Sequence, residues 1–396
     1  MTDPLLAFRP EFPILARANY LVSNSLGAMP RAVPERLAEY ADAWNRRGVR
    51  AWSDGWWSMP LTVGDEIAPL LGAGAGEVAM FPNVTLAQAA VLSALDYTPP
   101  RDTIVMTGLD FPSVRYVYDQ LATRLGARIV SVPADDSIAI DTARVLEAID
   151  ERTRIVAVSH VLFRSAYIMD AEAICRRAHA MGALVSLDAF HSVGVMPVDV
   201  RTTGVDFLTG GVLKWLCGGP GGAFLYVSPS VRDTLEPALT GWQAHARPFA
   251  FEPDMEYGHG MGRWLNGTPA IPALYAAIDG PRIVRNAGID AVRAKSVRQT
   301  TQLISLADEH GWRVNAPRDA ARRGGTVAID VPNGYEVAQS LLARDIYVDY
   351  RPEAGIRLAP HFYTDDREIS DAVDAIASII ESGDWQQFRG QHKVVT

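Results

Sequence analysis

Cysteine is scarce: Cys175 and Cys217 are the only two in 396 residues. That is too few for a disulfide framework or a four-thiolate metal site. No apolar run reaches membrane-spanning length, and no long basic stretch offsets the net charge of −9. Neither an anionic membrane nor a nucleic-acid backbone is therefore an expected partner. The eight histidines form no HExxH and no paired ligand spacing, so no metal site is expected. A Walker P-loop is missing, as is a GxGxxG after the first strand. Repeats and low-complexity segments are absent too. The opening Met1-Thr2-Asp3-Pro4 has no basic leader region, and the expected location is the cytoplasm.

What is present is an ordinary soluble balance, 48% hydrophobic and 21% charged residues, able to build a large core. Residues 1–30 read as an irregular arm with Pro10, Pro13, Pro30 and the tight-turn string Asn24-Ser25-Leu26-Gly27. Apolar Val33, Leu37, Tyr40 and Trp44 recur at helical spacing and predict an amphipathic helix over 33–47. A second helix is predicted over 59–71, after an aromatic-rich loop. Seven short apolar runs follow, at 78–81, 103–106, 128–132, 154–159, 183–188, 207–208 and 223–227. Helical patterns at 86–95, 114–125 and 171–181 lie between several of them. This alternation predicts an α/β fold, a mainly parallel seven-stranded sheet covered on both faces, within a large domain of residues 31–282. Beyond Pro272 the texture changes to a helix over 283–310, a strand–helix–strand pattern at 325–331, 335–344 and 346–350, and a closing helix over 367–381. These predict a smaller α/β domain, residues 283–396, with a polar, frayed tail from Asp384.

Ligands of such sheets collect at the carboxyl ends of the strands, and two residues there stand out. Asp188 closes the apolar run Ala183-Leu184-Val185-Ser186-Leu187, and Lys214 follows another, just before Gly218-Gly219-Pro220-Gly221-Gly222. A buried carboxylate needs a cationic partner, and a buried lysine readily gives up its charge to leave a free amine. An amine for an aldehyde and a carboxylate for a ring nitrogen are what pyridoxal phosphate (PLP) requires. Asp188 would equally serve as a helix N-cap, and Lys214 as a surface lysine, although a solvated lysine has no need of apolar flanks. His191, three residues past Asp188, either touches the cofactor or caps its loop. Asn83-Val84-Thr85 opens a helix whose free backbone amides suit a phosphate; ordinary N-capping gives the same sequence. Phe111 is placed to stack on a ring or to fill the core. Arg357, isolated in an apolar strand, matches an α-carboxylate or an internal ion pair. The loops of Trp56-Trp57 and Gly241-Trp242-Gln243-Ala244-His245 wall a flat pocket or fill an interface.

With those residues collected, the chain resembles the PLP-dependent class V aminotransferase superfamily of fold type I, and within it the kynureninase family, from about Tyr20 to Tyr363. The resemblance is carried by Asn24-Ser25-Leu26-Gly27, Trp52-Ser53-Asp54-Gly55-Trp56-Trp57, Asp110-Phe111-Pro112 and Asp188-Ala189-Phe190-His191. Lys214 with its Gly-rich turn, Gly241-Trp242 and Asn266-Gly267-Thr268-Pro269 complete it. It implies that Lys214 holds the cofactor covalently, Asp188 pairs with the pyridine nitrogen, Phe111 stacks on the ring and His191 lies beside it. It also implies that Trp242 contacts the phosphate end and that Thr268 reaches the phosphate from the other subunit of a homodimer. Arg357 would hold the substrate α-carboxylate; Asn24, Ser25, Trp56, Trp57 and Gln243 are further candidate substrate contacts. The implied reaction is hydrolytic cleavage between the β and γ carbons of an α-amino acid, releasing alanine.

Two positions depart from the family pattern. Leu213 stands where kynureninases have a tyrosine that bonds the phosphate and serves proton transfer, and Gln243 stands where an aromatic residue is common. Transamination, epimerisation and β-elimination, including carbon–sulfur lysis, use the same cofactor-binding residues and stay open as alternatives. Cysteine desulfuration is disfavoured, because it needs a mobile nucleophilic cysteine and Cys217 sits in a tight turn. A non-catalytic PLP-fold binding protein is the remaining alternative, and the intact set of Lys214, Asp188 and Arg357 weighs against it.

Overall fold

The computed structural model describes residues 3–134 and 136–391. Its central sheet contains β1 (Val78–Phe81), β2 (Thr103–Thr107), β3 (Arg128–Val132), β4 (Thr153–Ser159), β5 (Leu184–Asp188), β6 (Phe207–Gly211) and β7 (Ala223–Val227). The spatial order is β1-β7-β6-β5-β4-β2-β3. Only β7 runs against its neighbours; every other pair is parallel. Each of the seven apolar runs thus becomes a strand of one mainly parallel sheet. They lack polar alternation because both faces are covered. Val105 and Val156 point into one core, whereas Ile104, Met106, Ile155 and Ala157 point into the other, as the two-residue period of a strand requires. The exception is the edge strand β3, which is largely exposed.

Helix α1 (Val33–Arg47) lies against the helix Ile271–Ala276, while α2 (Val84–Ser93), α3 (Pro112–Leu125) and α4 (Ala171–Ala180) pack around this sheet. Local chemistry sets their starts. The Asn83 side chain accepts from Leu86 N at 3.0 Å and caps α2, Pro112 opens α3, and Asp170 caps α4. The helix expected over 59–71 is helical from Met59 to Ile67 and tightens to a 3-10 turn over Ala68–Leu71, where Pro69 supplies no backbone N–H.

A second, four-stranded antiparallel sheet holds β8 (Arg313–Val314), β9 (Val327–Asp330), β10 (Asp349–Arg351) and β11 (Gly355–Leu358), in the order β10-β11-β9-β8. Helices α5 (Ile289–Glu309), α6 (Gly334–Leu342) and α7 (Asp366–Ser382) enclose a core with it that includes Leu303, Val337, Ile356 and Ile376.

Four expectations need correction. The single helix over 283–310 is two, Asp279–Ala287 and α5, divided at Gly288, whose φ of 82° a right-handed helix cannot hold. The strand over 346–350 splits: Ile346–Tyr347 pairs with Asn19–Tyr20, while β10 pairs with β11. The arm is not irregular throughout, since Pro4–Glu11 and Pro13–Ala16 are 3-10 helices. Arg9 fixes it by donating to both Glu368 oxygens, at 2.7 and 2.8 Å. Residues 384–388 of the expected frayed tail form a 3-10 turn, and residues 392–396 lie outside the described residues.

Candidate active site

The carboxyl ends of β1, β2, β4, β5 and β6 converge on a cavity of about 350 Å³ that Lys214 lines. Beyond β6 the chain turns sharply: Cys217 N donates to Lys214 O at 3.0 Å, and Gly218 N to Val212 O at 2.7 Å. The arm crosses this turn closely, with Gly27 N donating to Leu213 O at 2.7 Å. A Cβ on Gly27 would lie 2.1 Å from Lys214 O, so only glycine fits there. Gly211 has a similar cause: a Cβ would fall 2.2 Å from the Phe190 ring. That ring in turn lies 4.4 Å from the Lys214 amine.

Burial, then the Arg357 charge, brings the Lys214 ammonium down to about 7, so a large share of free amine is present near neutrality. The amine stands 2.7 Å from His191 Nε2. Burial foremost, and then the charges of Lys214, Arg357 and Arg351, holds the imidazole well below its usual value. The neutral ring can therefore exchange a hydrogen bond with the lysine.

Asp188 is buried, and burial raises its carboxyl to about 6 although Phe190 N donates to it at 2.9 Å. Such an acid is stabilised by any cationic N–H that reaches it. Asp110, one position before Phe111, anchors the neighbouring loop: Thr107 N and Thr107 Oγ1 donate to it at 2.8 Å, and Ser159 N at 2.8 Å. Phe111 is thereby fixed at the entrance to α3, edge-on to Phe163 with ring centres 5.2 Å apart.

Ten of the candidate residues line this one cavity: Asn24, Ser25, Asn83, Val84, Thr85, Phe111, Asp188, His191, Lys214 and Arg357. Val84 and Thr85 bring first-turn N–H groups of α2, which a helix cannot satisfy internally. Both polar atoms of the buried Asn24 amide lack a hydrogen-bond partner. Arg357 forms the internal ion pair: its Nε donates to Asp349 Oδ1 at 2.7 Å, its Nη2 to Asp349 Oδ2, and its Nη1 to Phe163 O at 2.6 Å. It nevertheless lines the cavity as well.

Five candidates lie elsewhere in the single chain. Trp56 is buried against Tyr40, ring centres 5.5 Å apart, and its Nε1 donates to Tyr275 OH at 3.3 Å. Trp57, Trp242 and Thr268 line a separate hollow of about 780 Å³. Gln243 donates to Trp57 O at 3.4 Å and faces a third hollow that Thr268 also lines. Sequence reasoning missed Asp349, Arg351 and Phe163. The signal was available for the first two: in Asp349-Tyr350-Arg351, strand alternation puts both charged residues on one face, and one antiparallel turn brings Arg357 opposite Asp349.

The residues present fit PLP. A deprotonatable lysine, a buried acid without a cation in contact among the described residues, a helix start for a phosphate and an aromatic ring surround one cavity of suitable size. Fold and site together define a PLP-dependent enzyme of fold type I. The chain belongs to the aminotransferase class-V family, whose model matches residues 19–350. It is similar to a kynureninase from Pseudomonas fluorescens, 33% identical over 411 residues, covering 99% of this chain and 97% of the relative. A kynureninase from Burkholderia pseudomallei is 31% identical over 401 residues, covering 97% and 94%. Among solved structures, a cysteine desulfurase from Thermococcus onnurineus superposes with a TM-score of 0.84 at 23% identity, over 96% of this chain and 99% of that one. No helix among the described residues is long and apolar enough to cross a membrane.

Proposed function

We propose that the chain is a kynureninase-like hydrolase, cleaving the Cβ–Cγ bond of an aromatic γ-keto α-amino acid to give an aromatic acid and alanine. The observation that carries this reading is the convergence of Lys214, Asp188 and Arg357 on one cavity, in a chain a third identical to a kynureninase over nearly its whole length. PLP bound there supplies an electrophilic aldehyde and an electron-withdrawing ring. Lys214 would hold the cofactor covalently, Asp188, as carboxylate, would keep the ring nitrogen protonated, and the Val84 and Thr85 N–H groups would hold the phosphate. The Lys214 amine would serve as the base for the substrate α-proton, with neutral His191 at 2.7 Å to share it. Water adds to the γ-carbonyl, the Cβ–Cγ bond breaks, the acid departs and the β carbon takes up a proton.

The same reading makes the protein a cytoplasmic homodimer with two bodies per chain, residues 31–282 and 283–396, behind an arm of residues 1–30. Trp57, Trp242 and Thr268 then complete the partner's site from the neighbouring hollow. One feature favours a second reading, carbon–sulfur lysis: Leu213 lines the cavity where the family's tyrosine would stand and has no proton to give. Desulfuration has less support, because Cys217 is buried and burial pushes its thiol up to about 12.

The test is to supply purified, PLP-loaded protein with L-kynurenine, 3-hydroxykynurenine and cystine. Equal amounts of anthranilate-type acid and alanine are expected. Pyruvate and ammonia from cystine, with no anthranilate, would replace the first reading by the second.

A further inference from the structure

The hairpin of β10 and β11 presents three charged side chains on one face. Asp349 and Arg351 are two residues apart on β10, and Arg357 lies directly across from Asp349. Gly355, opposite Arg351, has no side chain to compete for that face. Asp349 is completely buried and grips both cations, Arg357 through both oxygens and Arg351 through Oδ2 at 3.2 Å. Arg351 also donates to Tyr350 O at 2.8 Å.

Two guanidinium groups share one carboxylate, so a single positive charge remains. Both arginines line the Lys214 cavity, and among the described residues each keeps N–H groups that no protein acceptor takes. An ion pair made only for stability would need one arginine. The second leaves an unbalanced cation at the cavity wall, which a bound anion of one charge would neutralise. Burial lowers the Arg351 guanidinium below its usual value, with Asp349 opposing that shift and Arg357 adding to it.

We propose that Arg351 and Arg357, aligned by Asp349, form a paired-guanidinium seat for one substrate carboxylate, with Arg351 a specificity-determining binding residue in its own right. The inference rests on the amino-acid reading of the Lys214 site. Asp349 is then a positioning residue, and the remaining single charge selects substrates with one carboxylate at that end over those with two.

The experiment uses PLP-loaded protein and follows the cofactor absorption band during titration with L-kynurenine and with its α-carboxamide. Wild type should bind the acid at least tenfold more tightly than the carboxamide. Arg351→Gln should weaken the acid about tenfold and leave the carboxamide unchanged, collapsing the discrimination; Arg351→Lys, which keeps the charge, should recover part of it. If either variant retains the band and discriminates as wild type does, or weakens both ligands equally, the paired seat is wrong. Should neither these ligands nor any of a panel of amino acids move the band in wild type, the amino-acid reading fails and takes this inference with it.

Discussion

In the Lys214 cavity, charged groups meet partners from the same chain: lysine meets histidine, and two arginines meet one aspartate. In the hollow around Trp242, large aromatic rings lie mainly against one another and solvent, with Trp242 Nε1 donating to Pro248 O. Trp57 lies 4.9 Å from Trp242 and 4.7 Å from Phe249, centre to centre, and Trp242, Phe249 and Phe251 are 43%, 61% and 74% exposed. Exposed aromatic clusters of this kind mark surfaces that another protein covers. On the homodimer reading proposed above, the contrast separates what one chain builds alone from what a second copy would enclose: chemistry on one side, enclosure on the other.

Removing the lysine tests that division most severely. Lys214→Ala should cut turnover by about 10³-fold or more and abolish borohydride fixation of PLP to the chain, while sedimentation still reports the same assembly. If assembly fails as well, cavity and hollow are not independent. The reciprocal change, Trp242→Ser with Phe249→Ser, should weaken self-association by about 2 kcal/mol or more and leave borohydride fixation at Lys214 intact. A double variant that stays dimeric at wild-type dilution would remove the hollow from the interface.

Asp188→Asn should have opposite effects on the two forms of the protein. The folded pKa near 6 lies above the ordinary carboxylate value. The acid therefore costs stability progressively as pH rises through that range, and the full cost persists above it. In cofactor-free protein the substitution should stabilise by up to about 2 kcal/mol at pH 8 and by little at pH 4, as read by urea unfolding. The cofactor-loaded protein should lose activity. Equal effects at both pH values would contradict a buried, unpaired acid. The smallest effect concerns Lys214 itself: below its pKa near 7, uptake of PLP should slow about tenfold per pH unit, and a midpoint near 10 would mean the amine is not desolvated.

Much of the candidate site was legible before the fold. The seven strand runs could be read because a doubly covered sheet demands unbroken apolar segments. Lys214 and Asp188 could be read because such segments ended in charge. What escaped was the long-range pairing. The partner of Arg357 is eight residues away in sequence yet opposite it in register, and the Asp110 loop is tied to Ser159 by a bond across two strands. Trp56 illustrates the converse. In sequence it is indistinguishable from Trp57, yet one ring fills the core and its neighbour faces the hollow. The break at Gly288 was visible as a glycine, but the helical periodicity on both sides concealed it.

The way the arm is docked bears on how the protein is made. Residues 9–22 are made long before their distant partners: Arg9 waits for Glu368, Asn19 for Ile346, and Val22 for Ala359. Gly27, a few residues on, presses on the lysine turn. Such widely separated contacts form late and slowly. A nascent chain that has not reached Glu368 would therefore carry a finished sheet and an unfinished catalytic centre, so the segment from Ile346 to Glu368 decides when a molecule can turn over substrate.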